Sequence, residues 1–303
     1  MRIVSFLPAA TEMIYLLGLE DDLVGRSHEC DYPDEVKTKP VIVDCALDLS
    51  KMTMSQIDVA VSKQLSLGKS LYTVDETKLR AAAPHLLVTQ NLCQVCGPAG
   101  NEVTQVLKSM SAAPKIVWQT PRNFEEVFDA IRTLGEETGT EAKATEWLEK
   151  AAARVQSIAA AAKALNKVRV SFLEWVDPIY CGGHWIPQML AWAGAEDRNS
   201  RDGTDSVRIP WEQVLDSQPE VILVSPCGFK TQNAVEQAAL LKSRPGWDDL
   251  PAVRDHRVYA VDANAYFARP GPRLVDGLEL IAHLVHPEQF AWAGPSDAYR
   301  QIR

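Results

Sequence analysis

The tripeptide Ser5-Phe6-Leu7 recurs in the second half of the chain as Ser171-Phe172-Leu173. In both halves it closes a short apolar stretch typical of a buried parallel strand, and an apolar helical stretch follows. A second pair of matching stretches places a proline just before a buried strand, at Pro84 and at Pro219. The repetition predicts two similar α/β lobes, an architecture that commonly binds a ligand in the cleft between its lobes.

Short apolar runs alternate with helical runs, which predicts a mostly parallel sheet flanked by helices in each lobe. The strands are predicted at residues 2–7, 23–26, 41–43, 85–89 and 116–119 in the first lobe, and at 168–175, 221–225 and 258–261 in the second. From Glu141 to Leu165 the chain has no proline or glycine, which predicts one long helix joining the lobes.

These features predict four segments. They are an N-terminal lobe over residues 1–122, linking helices over 123–166, a C-terminal lobe over 167–287, and a poorly anchored tail over 288–303.

Composition narrows the range of partners. The chain has 303 residues, a net charge of −9 and no basic stripe, so we expect it to bind neither nucleic acid nor anionic membranes. No apolar run approaches the roughly 20 residues of a membrane-spanning helix, so we expect no membrane insertion. We expect a monomer that is cytoplasmic if Met1 is the native start, because no targeting segment precedes the first strand, and periplasmic if the chain is a trimmed mature form.

Aromatic residues are concentrated next to Pro, Gly or Asp, after predicted strands. They are Tyr32, Tyr72, Trp175, Tyr180, Trp185, Tyr266 and Phe267. Rings at the carboxyl edge of a parallel sheet would suit a large ligand with apolar faces and polar edges, although rings can also simply cover the edge of a lobe. The sequence contains no hydrolase elbow, phosphate-binding loop or dinucleotide fingerprint, so we expect a binding protein rather than an enzyme. An enzyme would need a general base, for which Glu174, Asp177 and His184 are the candidates.

Four residues form a candidate metal site. Cys93-Gln-Val-Cys96 follows one predicted strand, and His28 and Cys30 follow another in the same lobe. Three sulfurs and one imidazole suit tetrahedral zinc or an iron–sulfur centre. A redox pair at Cys93 and Cys96, or plain packing of the cysteines, explains the same residues.

Six stretches occur in an order that resembles the cobalamin- and iron-siderophore-binding proteins of ABC importers, the periplasmic binding proteins in which one long helix joins two lobes. The vitamin B12-binding members are the most similar. The stretches are Ser5-Phe-Leu-Pro-Ala-Ala-Thr-Glu12, Cys30-Asp-Tyr-Pro33, the strand after Pro84, Gly182-Gly-His-Trp-Ile-Pro187 with Ala193-Gly194, Pro210-Trp-Glu-Gln-Val214, and Tyr266-Phe-Ala-Arg-Pro-Gly-Pro-Arg273.

The resemblance implies that a cobalamin-like corrinoid is bound between the lobes, with an iron siderophore or haem as the alternative ligand. The implied ligand contacts are Pro8, Tyr32, Tyr72, Trp175, Tyr266, Phe267 and Arg269. It also implies that one surface glutamate on each lobe docks onto an ABC permease. Glu212 matches in the second lobe, whereas Thr77 stands at the matching position of the first lobe, with Glu76 beside it. The cysteines depart from the family pattern, which keeps open a cytoplasmic metal- or redox-active protein that uses His28 and the cysteines.

Overall fold

A computed structural model describes residues 1–90, 110 and 112–303. The chain divides into two compact units. Unit 1 comprises Met1–Pro121 and Glu125–Leu148, and unit 2 comprises Arg122–Phe124 and Glu149–Arg303. The segment boundaries taken from the sequence stay predictions.

Unit 1 is built on a six-stranded sheet with the order β4-β3-β2-β1-β5-β6. The strands are β1 (Ile3–Ser5), β2 (Leu23–Ser27), β3 (Val41–Cys45), β4 (Tyr72–Val74), β5 (Leu86–Thr89) and β6 (Lys115–Trp118). All neighbouring pairs are parallel except β3 and β4. The antiparallel edge strand β4 is absent from the sequence prediction.

Unit 2 contains a second sheet, in the order β12-β11-β10-β7-β8, with β9 also paired to β7. The strands are β7 (Val168–Val176), β8 (Ile179–Cys181), β9 (Ala195–Glu196), β10 (Val221–Val224), β11 (Val258–Val261) and β12 (Tyr299–Gln301). Strand β10 is fully buried and pairs in parallel with both β7 and β11. A strand covered on both faces must be apolar throughout, as Val221-Ile-Leu-Val224 is.

The helices lie between the strands, which confirms the predicted α/β class. In chain order they are Pro8–Leu16, Met54–Ser66, Glu76–Ala82, Phe124–Thr138, Glu141–Ala162, Ile186–Trp192, Trp211–Ser217, Thr231–Ala238, Pro251–Arg254, Ala263–Tyr266 and Leu274–Val285, with shorter 3-10 helices at Asp34–Thr38, Ala239–Ser243 and Trp247–Asp249. In the described part of the chain, no helix has both the length and the apolar character needed to cross a bilayer.

The repeated tripeptide has a different structure in each unit. In unit 1 it ends the strand, because the Ser5 hydroxyl accepts from the amide of Leu7 and donates to its carbonyl oxygen just before the helix begins at Pro8. The expectation that Ser171-Phe172-Leu173 also ends a strand is wrong, since β7 continues to Val176 and turns back into β8.

The tail is better anchored than expected. Strand β12 pairs antiparallel with β11, and Ala298 is 2% exposed. The Thr231 hydroxyl donates to the carbonyl oxygen of Asp297 at 2.6 Å. The prediction of a poorly anchored tail is therefore wrong for this stretch, because its polar composition concealed an edge strand.

The long helix is confirmed as Glu141–Ala162, three residues shorter at its end than the predicted 141–165. Within unit 2, its Arg154 contacts the helix Leu274–Val285. The guanidinium donates to Glu279 at 2.8 Å and to Asp276 at 2.6 Å.

Replacing Arg154 by methionine tests how much this contact stabilises unit 2. We expect Arg154→Met to lower the free energy of unfolding by about 1 kcal/mol, because one charge satisfies two half-exposed carboxylates. Arg132→Met is the matched control, since Arg132 forms a single exposed pair with Asp129 and should change stability by less than about 0.5 kcal/mol. Equal effects of the two substitutions in denaturant unfolding would contradict the expectation.

Candidate functional site

The carboxyl edge of the unit 1 sheet gathers residues from distant parts of the chain. Pro8 follows β1, and the segment from His28 to Pro33 follows β2. Tyr72 reaches the same edge because β4 runs antiparallel and pairs Tyr72 with Cys45, the last residue of β3. In open α/β sheets this is the edge at which ligands bind.

His28 lies among the polar groups of this edge. Its Nδ1 is 3.7 Å from a carboxylate oxygen of Asp44, its Nε2 is 3.9 Å from one of Glu29, and its ring centroid is 6.3 Å from that of Tyr72. Nδ1 is buried and has no hydrogen-bond partner among the described residues. An imidazole nitrogen in this state is suited to accepting or donating a bond to an incoming group.

The predicted metal site is only partly described. Cys30 is 1% exposed, and its sulfur accepts a hydrogen bond from the Thr11 hydroxyl at 3.1 Å. Cys93 and Cys96 lie outside the described residues, and the described residues contain no group of three or more potential metal ligands. The four-ligand site stays a prediction, which elemental analysis of protein purified without chelator would test.

The carboxyl edge of the unit 2 sheet carries the larger set of rings. Trp175 is the second-last residue of β7. Phe229 lies in the segment after β10, and Tyr266 is the last residue of the short helix after β11. The rings of Trp175 and Phe229 are 5.6 Å apart at 45°, and the Trp175 indole donates to the carbonyl oxygen of Asp177 at 3.1 Å. Because its indole N–H is already bonded, Trp175 offers mainly its ring face to a ligand.

A buried layer supports Tyr266 from beneath. The Trp185 indole donates to the carbonyl oxygen of Phe267 at 2.8 Å, and the ring of Phe267 packs 5.4 Å from that of Phe172. A Cβ atom at Gly277 would lie 2.2 Å from the carbonyl oxygen of Tyr266, so only glycine allows the last helix to pack this closely. The sequence predicted Phe267 as a ligand contact, whereas the structure places it in the core at 3% exposure.

Glu174 is the carboxylic acid with the most altered acidity at this edge. It is half-buried, and loss of solvent raises its pKa to about 7, although bonds from the Gly183 amide at 2.8 Å and the Ser206 hydroxyl oppose the change. Gly183 packs directly on the backbone of residues 204–206, where a Cβ would lie 2.5 Å from the amide nitrogen of Ser206. Glu174 therefore ties together two loops of unit 2.

The neighbouring His184 shares this environment. Its Nε2 lies 3.0 Å from a carboxylate oxygen of Asp205, and this contact is an ion pair only when the imidazole is protonated. Burial lowers the pKa of His184, and the Asp205 carboxylate partly opposes that effect. Two of the three general-base candidates from the sequence, Glu174 and His184, therefore have pKa values shifted by burial, in opposite directions. The third, Asp177, lies in the β7–β8 turn, 3.6 Å from Arg244.

Three cationic side chains act on one carboxyl group beside Tyr266. Burial raises the pKa of Asp262, and the charges of Arg273, Lys230 and Arg269 oppose that change. Asp262 also accepts from the amide of Ala265 at 2.8 Å and so begins the short helix that carries Tyr266. This part of the edge therefore holds three cationic side chains together with carboxylates, since, besides burial, the charges of Asp262, Asp276 and Asp297 all raise the pKa of Tyr266.

Comparison with known proteins gives the family. Residues 75–265 match the periplasmic binding protein family. An ABC transporter substrate-binding lipoprotein of Bacillus subtilis, itself uncharacterised, is 30% identical over 296 residues, which cover 95% of this chain and 81% of that protein. The chain belongs to the periplasmic binding protein family.

Two further proteins that are similar to this chain are named for different ligands. A vitamin B12-binding protein of Vibrio cholerae is 24% identical over 283 residues, which cover 92% of this chain and 87% of that protein. A periplasmic heme-binding protein from Pseudomonas aeruginosa superposes with a TM-score of 0.72 at 19% identity, covering 100% of this chain and 98% of that one. The second likeness concerns the fold alone.

The residues predicted to contact the ligand differ in how far their side chains are exposed to solvent. Tyr32 is 49% exposed and Trp175 and Arg269 are half-buried, whereas Tyr72 and Tyr266 are 7% and 8% exposed. Pro8 is buried at the start of the first helix. Their role in binding stays a prediction.

Sequence reasoning missed Phe229 and the partners of Glu174. Phe229 follows a predicted strand and a Pro–Gly turn, which is the signal that singled out the other rings. The contact of Glu174 with Ser206 joins loops that are far apart along the chain, and no local pattern indicates it.

The acidity of Glu174 gives a test of the loop contact. The folded-state pKa of about 7 lies above the ordinary value of 4.5, so the folded protein binds this proton more tightly than the unfolded chain does. The resulting stabilisation is fully present below about pH 4.5 and is lost as the pH rises through about 7. Glutamine stays neutral throughout and can still accept from Gly183.

We therefore expect Glu174→Gln to gain stability relative to the wild type between about pH 5 and about pH 8, by roughly 1 kcal/mol after allowance for partial exposure. Denaturant unfolding of both proteins at the two pH values measures the change. Glu236→Gln, at an exposed helical position of the same unit, is the control. A difference that does not depend on pH would remove Glu174 as the titrating group.

Proposed function

We propose that this protein binds a cobalamin-like corrinoid and delivers it to an ABC permease, as the substrate-binding protein of an importer. The observation that carries the proposal is the set of rings at the carboxyl edge of unit 2, where Trp175 lies near the end of β7 and Phe229 and Tyr266 follow β10 and β11. Rings of this kind contact the large apolar faces of a macrocycle through area rather than through directional bonds.

The family supports the general part of this proposal. Its members named above include a vitamin B12-binding protein that aligns with 92% of this chain. Within unit 1, the rings of Tyr72 and His28 are 6.3 Å apart, close enough for both to act on one ligand group. The position of the ligand between the lobes stays a prediction of the sequence.

Haem is the second candidate ligand, and the cationic side chains beside Tyr266 favour it. Arg269, Arg273 and Lys230 all act on Asp262, so a ligand with carboxylates would meet more than one positive charge there. An iron siderophore with anionic groups would use the same charges.

The permease contact is proposed at the two glutamates. Glu76 and Glu212 are exposed and lie in the first turn of their helices, although Glu76 also pairs with Arg80 at 2.8 Å. Charge reversal at both positions, followed by a measurement of binding to the permease, tests this contact.

The expectation of a cytoplasmic protein gains no support from the relatives, one of which is named a lipoprotein. Fractionation of cells that express the untagged protein tests it.

Calorimetry with cyanocobalamin, haemin and a ferric siderophore tests the ligand. We expect cyanocobalamin to bind in a 1:1 complex, and Trp175→Leu to weaken binding about 10-fold, because it removes a ring face worth roughly 1 kcal/mol or more. Trp147→Leu is the control, since Trp147 is also half-buried and packs on a phenylalanine, Phe128, at 5.9 Å, but lies on the helix Glu141–Ala162.

The competing outcomes are distinct. Binding of haemin or the siderophore without cyanocobalamin would replace the corrinoid by that ligand. Binding of none of the three would overturn the proposed function.

A further inference from the structure

The segment Ser225–Phe229 occupies the middle of the unit 2 edge. It follows β10 directly, and β10 pairs with β7 on one side and with β11 on the other. Parallel pairing brings the ends of these three strands to the same edge. The segment therefore lies between the chain around Trp175 and the chain around Tyr266.

Backbone hydrogen bonds fix the segment to both neighbours. The amide of Cys227 donates to the carbonyl oxygen of Glu174 at 3.2 Å, and the carbonyl oxygen of Phe229 accepts from the amide of Ala263 at 3.1 Å. The Asn264 side chain donates to the carbonyl oxygen of Gly228 at 3.1 Å. These bonds occupy backbone groups on both sides of the segment, so its side chains are the groups that it can offer outward.

Two side chains of the segment remain accessible. Cys227 is an exposed thiol, and Phe229 is half-buried with its ring centroid 5.6 Å from that of Trp175. The two rings are tilted by 45°, and both side chains are half-buried. A half-exposed aromatic pair on a backbone held by neighbouring loops is ordered before any ligand arrives, which lowers the entropic cost of binding.

We infer that Ser225–Phe229 is a ligand-contacting element, in which Phe229 and Trp175 together meet the apolar face of a conjugated macrocycle and Cys227 lies at the margin of the contact. The inference rests on the proposed function and adds to it a binding residue, Phe229, and a reporter position, Cys227. The alternative role of Phe229 is to support the Trp175 ring without touching the ligand.

The first arm of the test measures affinity. Phe229→Leu keeps an apolar side chain but loses the aromatic face, and we expect it to weaken cyanocobalamin or haemin binding about 2- to 12-fold. Phe128→Leu is the matched control, because Phe128 is also half-buried and packs on a tryptophan, Trp147, at 5.9 Å in unit 1. The control should bind as the wild type does.

The second arm measures contact directly. Wild-type protein is alkylated with iodoacetamide with and without a saturating probe, cyanocobalamin or haemin, and the modified Cys227 peptide is quantified by mass spectrometry. We expect the bound probe to slow alkylation of Cys227 at least about 5-fold, since a macrocycle over Phe229 would shield a thiol two residues away. Cys227→Ser, which lacks the thiol, identifies the modified peptide.

The outcomes separate this inference from the proposed function. Tight binding with unchanged Cys227 alkylation and an unaffected Phe229→Leu variant would overturn the inference and leave the proposed function standing. Weaker binding by Phe229→Leu without protection of Cys227 would assign Phe229 the supporting role and also overturn it. Failure of every probe to bind would overturn both.

Discussion

Parallel pairing of β10 with both β7 and β11 is the constraint on which the candidate site depends. Three strands that run in one direction must end at one edge, so segments separated by dozens of residues in the chain meet there. The pairing also requires β10 to be covered on both faces, which its four apolar residues allow. This arrangement places the rings of Trp175 and Phe229, the cationic side chains near Asp262 and the carboxyl group of Glu174 at one edge of unit 2.

The edge is supported by close packing beneath it. Gly277 lets the last helix approach the backbone of Tyr266, and the indole of Trp185 bonds the next residue, Phe267. These contacts fix the short helix Ala263–Tyr266 in a unit whose core is apolar. A rigid edge of this kind suits a ligand that is itself large and rigid, because binding then costs little conformational entropy in either the protein or the ligand.

The sequence was sufficient for the regular part of the fold. Buried strands such as Val221–Val224 are recognisable because a short apolar run has a turn on either side. The long helix is recognisable because its sequence contains no proline or glycine. The edge strands β4, β8 and β12 were not predicted. Their sequences do not distinguish them from loops. They are strands because each pairs with a neighbour, as β12 does with β11.

The candidate site was less predictable than the fold. The rule that rings after strands line the ligand edge selected Trp175, Tyr266 and Phe267 alike, although Phe267 packs on Phe172 in the core. Exposure depends on the tertiary packing of each ring, which no local pattern contains. The acidity of Glu174 depends likewise on burial and on Ser206, more than 30 positions further along the chain.

Hydrogen exchange with and without bound ligand tests the central claim, that ligand binding occurs at the carboxyl edge of unit 2. Cyanocobalamin or haemin, whichever binds by calorimetry, is added to the intact chain, and amide exchange is followed by mass spectrometry. The account predicts slower exchange in residues 174–177, 225–229 and 262–269, with no change in residues 218–220 and 255–257, which lie before β10 and β11 at the opposite edge. Protection of the opposite edge, with the three carboxyl-edge segments unchanged, would contradict it.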